Sequence, residues 1–168
     1  VNARIALACC WVSAMGGYAV WGKPGILLGA TVSPCDTDMQ GLHLTADLHQ
    51  CQCETTWLTD ATRLGESCVA AVQSVGLQAV NQLFHAFPGT AWGPGGVTAT
   101  VLLAESHLCV HTWPEQRAVT LDVYVCNFGA DHSAKAHALM DALLAQFKPT
   151  HTERQQLKRG TLCQASRP

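Results

Sequence analysis

The sequence predicts an α+β fold, a two-layer sandwich in which two helices pack on one face of a mainly antiparallel sheet. Several segments alternate apolar and polar residues, as half-buried strands do, and two longer segments carry apolar residues at helical spacing. These segments follow one another in the order β-α-β-β-β-α, which favours helices gathered on one side of a sheet. With 168 residues, 48% of them hydrophobic, the chain is large enough to bury a core.

The first strand and the first helix are adjacent in the sequence. Between residues 42 and 48 every second residue is leucine or alanine, which is the period of a strand with one buried face. Residues 55–75 then carry apolar side chains three and four positions apart, and Gly76 is a typical helix stop.

Three further strands and a second helix complete the predicted domain. Residues 77–87 form one strand, and residues 97–104 and 118–125 form two more that are rich in β-branched and apolar side chains. Prolines and glycines between residues 88 and 96 predict a long hairpin loop. Residues 134–147 predict the second helix because their apolar side chains share one face.

The first forty residues differ from the rest of the chain. No charge occurs between Arg4 and Lys23, and small residues and tryptophans fill the interval. We favour an apolar extension outside the folded domain, with a signal peptide or membrane segment as the second interpretation and a structural part of the fold as the third. The predicted domain then spans residues 41–168.

Composition argues against several classes of partner. A net charge of −2 without a basic cluster predicts no binding to nucleic acid. The nine cysteines are odd in number and scattered, which is typical of unpaired thiols in a reducing compartment and therefore of a cytoplasmic protein. Cys51 and Cys53 lack a second pair at zinc-binding spacing, so we predict no metal there.

Residues 104–115 hold the strongest candidates for chemistry. Ser106 follows the strand that begins near Val97, and two histidines, His107 and His111, come next. Their spacing of four would suit a metal on a helix, but Thr-Trp-Pro directly after His111 argues against a helix. We therefore predict no metal site.

A serine and a cysteine are predicted to approach each other across a hairpin. By alternation, Ser106 shares a face with Thr98 on one strand, and Cys126 lies on the more polar face of the next. From this pattern alone, a turn serine and a packing cysteine remain the more ordinary interpretation.

The same residues closely resemble a known family. Glu105-Ser106-His107, then His111-Thr112-Trp113-Pro114-Glu115, then Cys126 are similar to the prokaryotic S-adenosylmethionine decarboxylase proenzyme, which is pyruvoyl-dependent. Segments near the predicted strands also resemble the family, so that the resemblance covers roughly residues 41–160.

The resemblance implies that the chain cleaves itself between Glu105 and Ser106. Ser106 would attack the carbonyl carbon of Glu105, converting the peptide bond to an ester. His111 would then help remove the α-proton of Ser106, and β-elimination would leave dehydroalanine. Hydrolysis of that residue gives a pyruvoyl group at the new amino terminus, the covalent cofactor that forms a Schiff base with the substrate.

The resemblance also assigns roles to five side chains. Cys126 corresponds to the acid that returns a proton to the substrate. Thr98 stands where the family usually has a serine whose hydroxyl assists cleavage. Glu115 corresponds to the carboxylate that binds the ribose hydroxyls, and Phe87 to the aromatic ring that stacks on adenine, helped by His111.

The activity implied is conversion of S-adenosylmethionine to its decarboxylated form, the aminopropyl donor for spermidine. The resemblance further implies that cleaved protomers form a homodimer with the active site at the shared interface. Two alternatives stay open: a pyruvoyl enzyme that acts on arginine or ornithine, and an uncleaved homologue without activity. The 88–96 loop is longer than the family's usual turn, so substrate fit could differ.

Overall fold

Six antiparallel strands form one sheet. The structure, a computed structural model, describes residues 40–91 and 93–160. Residues 1–39, which are all but the last residue of the predicted extension, lie outside this part, as do residues 161–168. The strand order is β2-β3-β4-β5-β1-β6, and each neighbouring pair is antiparallel. The strands are β1 (Gly41–His49), β2 (Ala79–Ala86), β3 (Val97–Leu103), β4 (Ser106–Trp113), β5 (Ala118–Cys126) and β6 (His151–Arg159).

Helices cover one face of this sheet, which confirms the predicted α+β fold. They are α1 (Thr56–Thr59), α2 (Ala61–Ser74) and α3 (Ser133–Phe147). Alternate strand residues face them and are buried together with one stripe from each long helix. The buried side chains include Leu44 and Leu48 of β1, Val123 of β5, Leu64 of α2 and Phe147 of α3.

The opposite face of the sheet, which we call the open face, has no helix over it in the described residues. It carries the other half of the alternation: polar, aromatic and histidine side chains that are exposed or partly exposed. Leu102 of β3 and Leu157 of β6 lie on this face with 46% and 60% of their surface exposed. The open face is therefore the side of the sheet that is accessible to a partner or a substrate.

The predicted helix over residues 55–75 is divided in two. Asp60 adopts an extended backbone conformation between α1 and α2, and its carboxylate accepts hydrogen bonds from the N–H groups of Thr62 and Arg63 at 2.9 and 3.0 Å. An N-cap of this kind satisfies N–H groups that have no partner within the helix. Apolar periodicity continues through the break, so it did not reveal the division.

Ser106 lies on a different strand from the one predicted. The chain turns at Ala104 and Glu105, so that Ser106 begins β4 instead of ending β3. The predicted face shared by Thr98 and Ser106 along one strand is therefore wrong.

The structure also adds β6, which the polar and apolar pattern did not predict. Its sequence, His-Thr-Glu-Arg-Gln-Gln-Leu-Lys-Arg, contains one large apolar residue, and all but one of its residues are exposed. Backbone pairing with β1 over nine residue positions holds it at the edge of the sheet. A strand that is stabilised mainly by backbone hydrogen bonds need not alternate apolar and polar side chains, so the sequence pattern does not reveal it.

Replacing Asp60 by alanine should lower the free energy of unfolding by about 1 kcal/mol, because two N–H groups at the start of α2 lose their acceptor. Urea denaturation followed by circular dichroism measures this, in a Ser106→Ala background that keeps the chain in one piece. Asp60→Asn is the matched control and should stay within about 0.5 kcal/mol of the parent, since an asparagine oxygen also caps. Equal losses in both variants would contradict the capping role.

Candidate active site

The predicted site residues fall into two clusters at opposite ends of β4. Ser106 opens this strand, and His111 lies five residues further along it. At about 3.4 Å per residue, their Cα atoms are about 17 Å apart. One protomer therefore does not bring His111 to Ser106.

The first cluster, which we call the junction cluster, surrounds the peptide bond between Glu105 and Ser106. The backbone N–H of Cys126 donates a hydrogen bond to the carbonyl oxygen of Glu105 at 2.8 Å. The hydroxyl Oγ of Ser106 lies 3.4 Å from Nδ1 of His107. The backbone of Cys126 thus lies beside the Glu105–Ser106 bond, whereas the approach of the Ser106 and Cys126 side chains stays a prediction.

The hairpin of β4 and β5 produces this arrangement. Ser106 pairs with Val125, so the residue before Ser106 comes opposite the end of β5, where Cys126 lies. A hydrogen bond to a carbonyl oxygen draws electron density away from its carbon and stabilises the negative charge that develops there when a nucleophile adds. The junction cluster is suited to attack on the Glu105 carbonyl.

The second cluster, which we call the pocket cluster, lies near the other end of β4. Thr98 pairs with His111 between β3 and β4, and the hydroxyl Oγ1 of Thr98 lies 2.8 Å from Nε2 of His111. The ring of Trp113 stacks on that of His111, with centroids 5.4 Å apart and an interplanar angle of 22°. Trp113 was not predicted as a site residue, although its place two residues after His111 on one strand puts both on the same face.

A cavity of about 560 Å³ adjoins the pocket cluster. Its lining includes Phe87, His111, Trp113 and Glu115, and the 88–96 loop supplies most of the remaining wall. The structure therefore brings together the three side chains predicted to bind substrate, Phe87, His111 and Glu115. An aromatic wall with one carboxylate is suited to a ligand that combines a flat ring with hydroxyl groups.

Two glycines at the end of the 88–96 loop lie in close backbone contact with neighbouring segments. A Cβ atom on Gly95 would lie 2.0 Å from the carbonyl oxygen of Phe87, and one on Gly96 would lie 2.0 Å from that of Thr112. Only glycine permits such an approach. These glycines thus let the loop backbone pass close to Phe87 and Thr112, beside the cavity.

Aromatic and charged side chains on the open face surround His107. Its ring packs against Tyr124, with centroids 5.6 Å apart, and edge-on against His43 at 6.3 Å. Nε2 of His43 lies 3.1 Å from a carboxylate oxygen of Asp122, and the guanidinium of Arg159 lies over the ring of Tyr124. The sequence pattern assigned no catalytic role to His107.

Burial is the main cause that lowers the pKa of His107 below its ordinary value. The neighbouring His43 lowers it further, the carboxylate of Asp122 opposes the shift, and Arg159 lowers it. His107 is consequently unprotonated near neutral pH and carries a lone pair that accepts a proton.

Three other cysteines belong to the core or its edge. Burial raises the pKa of the Cys51 thiol to about 11 and that of Cys68 to about 12, and it also raises the pKa of Cys53. Thiols of this kind are poor nucleophiles and poor metal ligands. Within residues 40–91 and 93–160, no three His, Cys, Asp or Glu side chains converge as a metal site would require.

The match with known proteins covers most of the described chain. The family model described as S-adenosylmethionine decarboxylase matches residues 42–160. The chain belongs to this family. The predicted resemblance is therefore confirmed, and with it the prediction of an enzyme of the S-adenosylmethionine decarboxylase family.

Individual relatives and one solved structure agree with this assignment. The S-adenosylmethionine decarboxylase proenzyme of Aquifex aeolicus is 34% identical over 120 residues, which are 71% of this chain and 81% of that protein. The corresponding proenzyme of Hydrogenobaculum sp. is 33% identical over 123 residues, 73% of this chain and 83% of that protein. The crystal structure of the Aquifex aeolicus adenosylmethionine decarboxylase matches with a TM-score of 0.64 and 31% identity, covering 79% of this chain and 100% of the other.

None of the helices in the described part of this family member is long and apolar enough to cross a membrane. The roles predicted for Ser106, His111, Cys126, Thr98, Glu115 and Phe87 stay predictions.

Proposed function

We propose that this chain is the proenzyme of an S-adenosylmethionine decarboxylase and that it cleaves itself between Glu105 and Ser106. The observation that carries the proposal is the hydrogen bond from the Cys126 N–H to the Glu105 carbonyl oxygen, with the Ser106 hydroxyl on the next residue. The peptide bond between Glu105 and Ser106 follows the exposed turn residue Ala104, so the two chain ends have room to separate after cleavage.

Cleavage begins with attack by Oγ of Ser106 on the carbonyl carbon of Glu105. The oxygen of the resulting tetrahedral adduct carries negative charge, which the N–H of Cys126 stabilises. Collapse breaks the bond to the Ser106 nitrogen and leaves an ester. Removal of the α-proton of Ser106 then eliminates the Glu105 carboxylate, and water hydrolyses the dehydroalanine that remains to a pyruvoyl group with release of ammonia.

The base for the α-proton is His111, positioned by the Thr98 hydroxyl 2.8 Å from its Nε2. Because about 17 Å separates His111 from Ser106 along β4, we propose that it acts on Ser106 of the partner subunit in a homodimer. Two copies that meet through their open faces about a two-fold axis perpendicular to β4 run their β4 strands in opposite directions. The pocket cluster of one then faces the junction cluster of the other, and Leu102 and Leu157 become covered.

After cleavage the substrate lies between the two clusters. A pyruvoyl group at the start of β4 supplies the electron sink that a decarboxylating amino acid needs. Cys126 stands beside that position and is the proton donor to the substrate α-carbon. The cavity holds the nucleoside: Phe87 and His111 stack on adenine, and the Glu115 carboxylate accepts hydrogen bonds from the ribose hydroxyls.

The cavity favours S-adenosylmethionine over arginine or ornithine. Its aromatic wall and its volume of about 560 Å³ suit a purine nucleoside, whereas neither of the smaller amino acids has a ring to stack. The product is the aminopropyl donor for spermidine synthesis. Cys51, Cys53, Cys68 and Cys109 are free thiols, which supports the cytoplasm as the compartment.

Expression of the wild-type chain should yield two fragments divided after Glu105, the second with a blocked amino terminus that reacts with ketone reagents. Mass spectrometry checks this. Ser106→Ala should stay in one piece because the nucleophile is gone. Cys126→Ala should still be cut, since alanine keeps the backbone N–H, but should decarboxylate at least about 100-fold more slowly without its proton donor. A wild-type chain that persists intact would refute self-cleavage.

Complementation between two inactive variants tests cooperation across the dimer. His111→Ala and Ser106→Ala, each uncut when expressed alone, are co-expressed with distinguishable tags. In mixed dimers the Ser106→Ala chain supplies His111 to its partner, so about half of the His111→Ala chains should be cut if pairing is random. The Ser106→Ala chains should remain whole. Absence of cut His111→Ala chains would place both residues in the same protomer.

Carbon dioxide release from S-adenosylmethionine, arginine and ornithine identifies the substrate. We expect release from S-adenosylmethionine alone. Glu115→Gln should raise KM for S-adenosylmethionine by about 10-fold or more, because a neutral amide binds the ribose hydroxyls less strongly than a carboxylate does. Gln116→Glu, one residue further along the same turn, is the control and should leave KM unchanged. Release from arginine or ornithine would favour the alternative substrates.

A further inference from the structure

His107 occupies the position from which a base would act on the Ser106 hydroxyl. Its Nδ1 lies 3.4 Å from Oγ of Ser106, a separation that catalytic hydrogen bonds often show before they tighten in the reacting state. The carboxylate of Glu105 is directed elsewhere and accepts a hydrogen bond from the backbone N–H of Gln78 at 3.4 Å. The hydroxyl that must be deprotonated therefore has a histidine beside it in the same protomer.

We propose that His107 is the general base of the first step, which converts the Glu105–Ser106 amide to the ester, whereas His111 acts only in the second step. The proposal rests on the proposed self-cleavage. It divides the two proton transfers between two histidines: His107, next to the reacting serine in the chain, and His111, about 17 Å away along β4.

The atoms of this step balance without any other reagent. Nδ1 of His107 takes the proton of the Ser106 hydroxyl as Oγ bonds to the carbonyl carbon of Glu105. The oxyanion is held by the N–H of Cys126. Protonated His107 then returns its proton to the Ser106 nitrogen as the carbon–nitrogen bond breaks, so that an amide and a hydroxyl become an ester and an amine.

Side chains from several strands hold the His107 ring in the orientation this transfer needs. Tyr124 of β5 packs on it, and His43 of β1 meets it edge-on. His43 is in turn held by the carboxylate of Asp122 at 3.1 Å. A ring fixed from two sides needs little reorganisation before it accepts a proton, which is the condition for efficient general-base catalysis.

Titratable groups from three strands face His107. They are His43 on β1, Asp122 and Tyr124 on β5 and Arg159 on β6, while Leu102 is its partner on β3. Burial lowers the pKa of His107, His43 and Arg159 lower it further, and the carboxylate of Asp122 opposes the shift. Ester formation should accordingly be independent of pH above this lowered pKa and should slow as the pH falls through it, because protonated imidazole accepts no proton.

Ester formation can be timed by itself in a His111→Ala background, where elimination is blocked. The full chain is made by cell-free synthesis, and samples are treated with hydroxylamine, which cuts an ester but not an amide. Adding His107→Asn should slow the appearance of hydroxylamine-sensitive chain at least about 100-fold. The rate that remains should no longer fall at acid pH. Asparagine keeps a hydrogen-bond acceptor near Nδ1 but is not basic.

His49→Gln is the matched control: it lies on the open face at the far end of β1 and should change neither the rate nor the pH profile. Circular dichroism shows whether each variant folds, and His107→Ala should regain ester formation when imidazole is added. If His107→Asn forms ester at the parent rate, or imidazole does not restore the alanine variant, His107 is not the base, although self-cleavage stands. If the wild-type chain is never cut, self-cleavage itself is wrong.

Discussion

The backbone pairing of β4 with β5 is the constraint on which the rest of the site depends. Its register sets the N–H of Cys126 against the carbonyl of Glu105, and the same register puts His107 beside Tyr124. A shift by one residue would turn every side chain of β4 to the other face and would bury His107 and His111 in the core. The buried residues between these positions, such as Leu108 and Val110, therefore maintain the geometry of the two clusters by fixing the register.

The histidine, threonine and aspartate side chains of the sheet lie on the open face because the helices already occupy the other one. A sheet with one covered face needs apolar residues at only every second position, which leaves the alternate positions for histidine, threonine and aspartate without loss to the core. The open face also exposes apolar side chains, namely Leu102 and Leu157. The same exposure that makes the face accessible to substrate makes it suitable for pairing with a second copy.

Alternation in the sequence predicted β1 and β5 well because their buried positions are filled by leucine and valine. It did not predict β6, whose polar residues are held by backbone bonds to β1, or the break at Asp60, which depends on a cap. The motif around Ser106 indicated which residues belong to the site. Their separation into two clusters was not predictable, since it depends on where the chain turns between β3 and β4.

The strand order has a consequence for the cleaved protein. A cut after Glu105 leaves β1, β2 and β3 on the first fragment and β4, β5 and β6 on the second, yet β1 lies between β5 and β6. Three strand pairs, β3 with β4, β5 with β1 and β1 with β6, would thus join separate polypeptides. The fragments are interleaved, so neither could depart without dismantling the sheet, and cleavage would turn a folded chain into an obligate two-chain assembly.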